Sequence, residues 1–224
     1  MELAQKGSLR AALHHRDRHR SFPPSARHTI LVDAAQGLAY LYAQGLQHKN
    51  LTSSSIVLMG NGRAKVSGYA MASTAEAVAM AAVPTHSLPI RWKAPEVIRS
   101  AEAAGPGFVE GSDVYSFGVV MWEVMCGQGE VPWQDVPEER LRAMLLVGCE
   151  LVVARSCPTL YASIMRQCWR PNPEARPTFA DIADMLDGLD DSASRSAGRR
   201  PAPAPPRSPV PGGGGRLVRG GRLV

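Results

Sequence analysis

The stretch from Asp113 to Cys126 constrains the fold more than any other part of this chain. Eight of its fourteen residues are Val, Met, Phe or Trp, and they fall on every side of a helix instead of forming one stripe. A helix that is apolar all round has to lie inside a packed domain, because none of its faces suits water. The rest of the chain is therefore expected to fold around this helix.

Residue patterns on both sides of this segment predict further helices and one β-hairpin. Ser8 can cap a short helix, and a long apolar stripe ends at Gly45. Gly60-Asn61-Gly62 separates two short apolar runs and predicts a tight turn. The predicted helices cover residues 9–14, 26–44, 113–126, 138–146, 160–169 and 179–189, and the predicted strands cover 56–58 and 64–66. The predicted fold class is mainly α with one small β-hairpin.

The net charge of +5 comes from the C-terminal tail. Residues 191–224 hold seven arginines against one acidic residue, so residues 1–190 are nearly neutral, which does not support a nucleic-acid-binding face on the folded part. No run of eighteen apolar residues predicts a membrane span, and the N-terminus lacks a secretory signal. The four cysteines show neither C-x-x-C spacing nor the density of a disulfide scaffold. We expect reduced intracellular thiols, no nucleic-acid partner and no secretion.

The tail over residues 191–224 is predicted to be disordered. It consists mainly of Ser, Ala, Pro, Gly and Arg, and it cannot bury enough apolar surface to offset the entropy of ordering. Within it, Arg200 to Pro206 fits the pattern R-x-x-P-x-x-P, which a polyproline II helix could present to a proline-recognition domain. A plain flexible linker is the alternative interpretation.

Four stretches, in chain order, resemble the C-terminal lobe of the protein kinase family. Arg91–Glu96 is similar to the A-P-E end of an activation segment, and Ser112–Gly118 to the start of the buried central helix. Pro132-Trp133 follows that helix as a similar Pro-Trp step, and Cys168-Trp169 with Pro173–Phe179 is similar to the closing helical unit. Residues 88–92 are closer to tyrosine kinases and tyrosine-kinase-like kinases than to other branches. The predicted kinase-like domain covers residues 1–190.

The resemblance implies the C-terminal lobe of the protein kinase-like fold, with the N-terminal lobe absent from this chain. The sequence contains no G-x-G-x-x-G loop and no strand with V-A-I-K. The opening residues 1–9 resemble the hinge that enters the lower lobe. We therefore expect Met1 to be either an internal residue or the start of a truncated gene product.

The resemblance also implies two buried structural contacts. Glu96 and Arg176 would form an ion pair that joins the activation segment to the last helices, with two solvated surface charges as the alternative. Asp113 would accept backbone hydrogen bonds from the catalytic loop.

Residues 48–55 resemble the catalytic-loop motif H-R-D-L-x-x-x-N but depart from it. His48 matches the motif, and Lys49 stands where the family has Arg. Asn50 stands where the catalytic Asp would take the substrate proton, and an amide cannot accept a proton near neutral pH. Ser55 and Gly68 stand where the family keeps its two magnesium ligands. A hydroxyl is a poor ligand for a hard cation, and Gly68 offers no side chain.

The segment from Met71 to Leu88 takes the place of the activation segment and contains no tyrosine. Two serines and two threonines, at 73, 74, 85 and 87, could accept phosphate, and Lys49 stands where the family's phosphate-pairing Arg would be. A phosphorylation switch and an inert surface loop are both left open.

These departures predict a catalytically inactive pseudokinase that acts as a scaffold or regulator of signalling. It would need no cofactor, and its partners would be proteins, such as another kinase or a signalling protein. The alternative is a fragment of a weakly active tyrosine or serine/threonine kinase, which would use ATP and Mg with a lobe supplied upstream. A third interpretation is a nonfunctional fragment. The expected location is the cytoplasm or the cytoplasmic face of a membrane receptor.

Overall fold

A computed structural model describes residues 4–14, 22–68, 73–74, 89–103, 109, 111–127 and 129–197, with side chains except at 73–74, 101–103 and 189–197. The helices are α1 (Leu9–Leu13), α2 (Pro24–Ala43), α3 (Pro95–Ala103), α4 (Gly111–Met125), α5 (Glu138–Leu146), α6 (Thr159–Cys168) and α7 (Phe179–Ala197). The strands are β1 (Leu46–Gln47), β2 (Ile56–Leu58), β3 (Ala64–Val66) and β4 (Ser73–Thr74). Short 3-10 helices lie at Ser53–Ser55, Ile90–Trp92 and Pro173–Ala175.

Helix α4 is the buried centre of the fold, as its composition predicts. Every residue from Ser112 to Val124 is buried. Helix α6 packs along α4, and α2 packs along α7. Buried apolar side chains from these four helices form one continuous cluster. A smaller cluster of Ile98, Leu141 and Leu145 joins α3 to α5.

Helix α2 and the β-hairpin also follow the sequence patterns. Helix α2 begins at Pro24, two residues before the predicted start, because the first turn of a helix does not need the N–H that proline lacks. Strands β2 and β3 pair antiparallel along their whole length. The Asp33 carboxylate of α2 accepts a hydrogen bond from Arg63 Nε at 2.8 Å and from the Ala64 N–H at 2.8 Å. These bonds fasten the predicted hairpin to α2.

The sequence patterns do not predict two of the observed features. Strands β1 and β4 form a second antiparallel pair, with Leu46 opposite Thr74. Two-residue strands are too short to show a period, so their pairing depends on tertiary contacts. Among the residues of helix α3 whose side chains are described, Pro95, Val97 and Ile98 are buried, and so short a run does not make a repeating pattern. The mainly α fold class is nevertheless confirmed.

Helix α7 extends into the segment predicted to be disordered. Its backbone is helical to Ala197, eight residues past the predicted end at residue 189. Residues 190–197 contain neither Gly nor Pro, so nothing in the sequence stops the helix before Gly198. The disorder of the tail over residues 191–224 stays a prediction, and residues 198–224, with the motif at Arg200–Pro206, lie outside the described residues. None of the helices in the described ranges is long and apolar enough to cross a membrane.

Candidate functional site

The catalytic-loop candidate, residues 48–55, is anchored on the buried Asp113 near the start of α4. The Asp113 carboxylate accepts the His48 N–H at 2.7 Å and the Lys49 N–H at 3.0 Å, and the Tyr42 hydroxyl donates to it at 2.8 Å. Burial raises the pKa of Asp113, while the nearby His48 and the hydrogen bonds to the carboxylate oppose that shift. The bonds expected between the loop backbone and Asp113 are present, and they hold the loop against the central helix.

Lys49 makes the sharp turn that lets two successive N–H groups reach one carboxylate. Its φ is 63°, in the left-handed region that residues other than glycine seldom adopt. The residue is only 7% exposed, and burial lowers the pKa of its amine, while the charge of Asp113 opposes this. Lys49 therefore supports the shape of the loop as well as carrying a charge.

His48 joins the loop to the residue that precedes Gly68. The side chain is fully buried, its Nε2 donates to the Ser67 carbonyl at 2.9 Å, and its Nδ1 accepts the Asn50 N–H at 3.3 Å. His48 thus holds the backbone at Asn50 and at Ser67 in one fixed arrangement.

The Ser55 side chain is used within the loop itself. Its hydroxyl donates to the Asn50 carbonyl at 2.8 Å and accepts the Thr52 N–H at 3.3 Å, which caps the 3-10 helix that begins at Ser53. Its carbonyl accepts the Ser67 N–H at 2.8 Å. Ser55 therefore lies next to both Asn50 and Ser67, and its one hydroxyl proton is already engaged.

Gly68 follows Ser67 and has a left-handed backbone with a φ of 78°. A Cβ added there would meet no heavy atom of the described residues within 4 Å. The structure brings Asn50, Ser55 and Gly68 together, and none of these three residues carries a carboxylate. Within the described ranges, no group of three or more His, Cys, Asp or Glu residues could hold a metal ion.

Glu96, at the start of α3, and Arg176 form the ion pair that the resemblance implies. Nη1 and Nη2 of Arg176 donate to the two carboxylate oxygens of Glu96 at 2.6 and 2.9 Å. The Arg176 side chain is fully buried, and that of Glu96 is 18% exposed. Arg176 also donates to the Gly111 carbonyl at 2.9 Å and stacks over the Tyr115 ring. The alternative of two solvated surface charges is therefore wrong.

Glu123 of α4 is a buried acid that the sequence reasoning missed. Its carboxylate accepts hydrogen bonds from the Ser53 hydroxyl at 2.8 Å and from Trp92 Nε1 at 2.9 Å. Burial raises the pKa of Glu123 to about 7, while the two hydrogen bonds and the charge of Arg10 oppose the shift. One carboxyl thus connects the loop, the central helix and the segment before α3. The sequence feature that points to Glu123 is its place as an acid within the apolar run of residues 114–125.

Comparison with known proteins identifies the family of this fold. The family described as protein tyrosine and serine/threonine kinase matches residues 1–186. The chain belongs to this kinase family. Its relatives include Ephrin type-A receptor 6 of Homo sapiens, 32% identical over 191 residues, which are 84% of this chain and 18% of that receptor.

Two further relatives have the same kind of name. Ephrin type-A receptor 5 of Rattus norvegicus is 34% identical over 162 residues, 71% of this chain and 16% of the receptor. Ephrin type-A receptor 4-A of Xenopus laevis is 34% identical over 190 residues, 84% of this chain and 18% of the receptor. The chain spans less than a fifth of the length of these receptors, so it corresponds to one part of such a protein.

Residues 71–88 are predicted to take the place of the activation segment, and the structure describes only Ser73 and Thr74 among them. The backbone of Ser73 and Thr74 forms β4, which pairs with β1 just before the catalytic-loop candidate. Thr85 and Ser87 lie outside the described residues. Phosphorylation of these four positions stays a prediction.

Proposed function

We propose that this kinase-family domain does not transfer phosphate, and that it acts as a scaffold or regulator through contacts with other proteins. The observation that carries the proposal is the hydrogen bonding of Ser55. The side chain at this magnesium-ligand position closes the loop on itself, by bonding to the Asn50 carbonyl and the Thr52 N–H. Asn50, whose carbonyl accepts the Ser55 hydroxyl, and Gly68, which follows Ser67, do not supply a carboxylate either.

The chemistry of phosphoryl transfer explains why these three residues matter together. The protein has to orient the attacking hydroxyl and neutralise the charge that develops on the phosphate, largely through magnesium. An amide at residue 50 supplies no general base, a loss worth about 10²–10⁴ in rate. A hydroxyl at residue 55 and no side chain at residue 68 leave magnesium without its usual oxygen ligands. Loss of this charge stabilisation adds a second and usually larger penalty.

The structural contacts of the lobe favour a scaffold over a nonfunctional fragment. The Asp113 anchor, the Glu96–Arg176 ion pair and the buried cluster around α4 are all intact. The residues that hold the fold are thus present, while those that the family uses for chemistry are replaced. Melting of the 224-residue chain tests this, because a cooperative transition supports a folded scaffold and a broad one supports a nonfunctional fragment.

Nucleotide binding of the longest polypeptide that the gene encodes tests the inactive assignment. We expect no magnesium-dependent thermal stabilisation by ATP and no transfer of labelled phosphate. The variant Asn50→Asp/Ser55→Asn/Gly68→Asp is expected to gain both. At a ligand concentration one hundred times Kd, the gain in stability is about 2.7 kcal/mol, or about 5–10 °C in Tm.

The hairpin turn supplies a matched control for these substitutions. Asn61→Asp/Gly62→Asp makes two of the same exchanges, and Gly62 has a φ of 84° and open space around it, as Gly68 does. This control should gain no nucleotide binding. Saturable, magnesium-dependent stabilisation of the unaltered polypeptide, together with phosphate transfer, would refute the proposal.

The alternative function is a weakly active ATP- and Mg-dependent tyrosine or serine/threonine kinase. It is favoured by the share of the relatives that this chain spans, since the missing parts of the nucleotide site could lie elsewhere in a longer protein. It predicts transfer by the unaltered long polypeptide and a rise in rate of about 10²–10⁴ when Asn50→Asp restores a base. For both functions we propose protein partners and a location in the cytoplasm or on the cytoplasmic face of a receptor.

A further inference from the structure

A cleft opens where α3 and α4 face the connection between α5 and α6, residues 147–158. Its floor is formed by the buried side chains of Pro95, Tyr115, Leu145 and Trp169. The cleft holds about 340 Å³ of free space, including space open to solvent, which is near the lower limit for a ligand site. The cleft therefore suits a short segment of extended chain with an aliphatic side chain, and it is too small for a helix.

The floor of the cleft also contains polar groups. Trp169 Nε1 is buried and finds no hydrogen-bond partner among the described residues. A buried donor without an acceptor is unfavourable. The Tyr115 hydroxyl belongs to the same floor and can donate a hydrogen bond. A ligand that brings carbonyl oxygens into the cleft thus fits better than a purely apolar one.

The rim of the cleft carries one charge of each sign. Arg99 and Glu150 line the cleft and are both exposed. Arg99 Nη2 donates to the Leu146 carbonyl at 3.0 Å, which holds the guanidinium at the rim and leaves further N–H groups for a ligand. The Glu150 carboxylate attracts a cationic side chain. The complementary ligand is therefore a peptide segment in which an aliphatic residue follows a basic one.

The tail of this chain contains that combination twice, as Arg216-Leu217-Val218 and as Arg222-Leu223-Val224. The leucines of these two motifs are the only leucines after residue 197. Residues 198–224 hold six arginines and no acidic residue, so their charge is opposite to that of Glu150.

We propose that the C-terminal tail folds back on its own domain and docks one of these Arg-Leu-Val motifs in the cleft. The leucine packs on Pro95 and Leu145, the arginine pairs with Glu150, and a backbone carbonyl of the motif accepts a hydrogen bond from Arg99. The docked tail covers this face, so a protein partner that binds here has to displace it. This inference does not depend on whether the domain transfers phosphate.

The lengths of α7 and of the tail allow docking within one chain. Cζ of Arg176 lies 5.3 Å from the centre of the Tyr115 ring, so the cleft is near the N-terminal end of α7, which begins three residues later. The 19 residues of α7 span about 28 Å. Arg216 and Arg222 follow Ala197 by 19 and 25 residues, and Gly-rich linkers of these lengths span about 24 and 28 Å on average. Either motif therefore reaches the cleft without full extension, and a linker that matches its span gives the highest effective concentration.

Methyl NMR of the full 224-residue chain, labelled at leucine and valine, tests the docking. We expect nuclear Overhauser contacts from the methyl groups of Leu217 or Leu223 to the Tyr115 ring or to Leu145. Val210, which lies in the tail outside both motifs, should show none. The contacts should persist on dilution, and mixed labelled and unlabelled chains should show none between copies, because an intramolecular contact does not depend on concentration.

A competing peptide measures how much of the cleft the tail occupies. The probe is the synthetic peptide Gly-Gly-Arg-Leu-Val-Arg-Gly with both ends blocked, the sequence of residues 214–220. It should bind the variant Leu217→Ser/Leu223→Ser at least about threefold more tightly than the unaltered chain, because the unaltered tail keeps the cleft occupied.

Charge variants identify the rim contact. Glu150→Lys should abolish the contacts between the tail and the cleft, because it places a like charge opposite the arginine. Glu139→Lys changes an exposed acid that does not line the cleft, and Arg199→Ala/Arg200→Ala removes two charges outside the motifs; both should leave the contacts intact. Contacts of the tail with another surface, contacts between copies only, equal peptide affinity for the two chains, or equal effects of the two lysine variants would overturn the proposal.

Discussion

Replacing Arg176 with methionine keeps a long side chain at this position and removes its charge. The guanidinium makes two hydrogen bonds to Glu96, at 2.6 and 2.9 Å, and one each to the Gly111 and Arg170 carbonyls at 2.9 Å. Methionine makes none of these. Of its hydrogen bonds to the described side chains, Glu96 would retain the one from the Ser112 hydroxyl, at 2.9 Å.

The expected cost follows from the buried charge that the substitution leaves behind. Breaking a buried ion pair on one side costs about 3–5 kcal/mol. Because the Glu96 side chain is 18% exposed, water can solvate part of the stranded carboxylate. We therefore expect the lower end, about 3 kcal/mol, which corresponds to a fall in Tm of about 6–12 °C for a chain of this size.

Urea or thermal unfolding measures this difference, with Arg155→Met as the matched control. Arg155 is exposed, so its substitution should change the stability by no more than about 0.5 kcal/mol. The double variant Glu96→Met/Arg176→Met removes both charges and should be more stable than Arg176→Met alone. If Arg176→Met costs less than about 1 kcal/mol, or if the double variant is the less stable of the two, the reasoning about a stranded charge is wrong.

Two further predictions concern α4. The pKa of Glu123 in the folded chain, about 7, is above its usual 4.5. The contribution of Glu123 to stability is therefore fully present below about pH 4.5 and is lost as the pH rises through 7. The stability lost over this range amounts to ~3 kcal/mol. Glu123→Gln should remove that pH dependence in unfolding experiments between pH 4.5 and 8, and an unchanged profile would contradict the assignment. Gly118→Ala puts a Cβ 2.6 Å from Trp169 Nε1 and should cost about 1–3 kcal/mol, whereas Gly188→Ala meets nothing within 4 Å and should stabilise α7 by about 0.5–1 kcal/mol. Equal effects of the two alanines on the denaturation midpoint would contradict the packing argument.

The regular elements of the fold could be predicted because their signals are local. Helix α2, the hairpin of β2 and β3 and the buried α4 each follow from a period or a turn motif within about twenty residues of chain. Strands β1 and β4 could not be predicted in this way, because their pairing joins Leu46 to Thr74 across the hairpin. Helix α7 continues past its predicted end at residue 189, because the apolar stripe that predicts the helix stops there whereas the first helix-breaking residue is Gly198.

For the candidate site, the sequence by itself determined which chemical groups are present: an amide at residue 50, a hydroxyl at 55 and no side chain at 68. Only the tertiary structure decided what surrounds them, such as the closure of Ser55 onto Asn50 and the burial of Glu123 between Ser53 and Trp92. The physical reason is that side-chain chemistry belongs to a single residue, whereas burial, pKa and pairing depend on groups that lie far apart along the chain and meet only in the folded state.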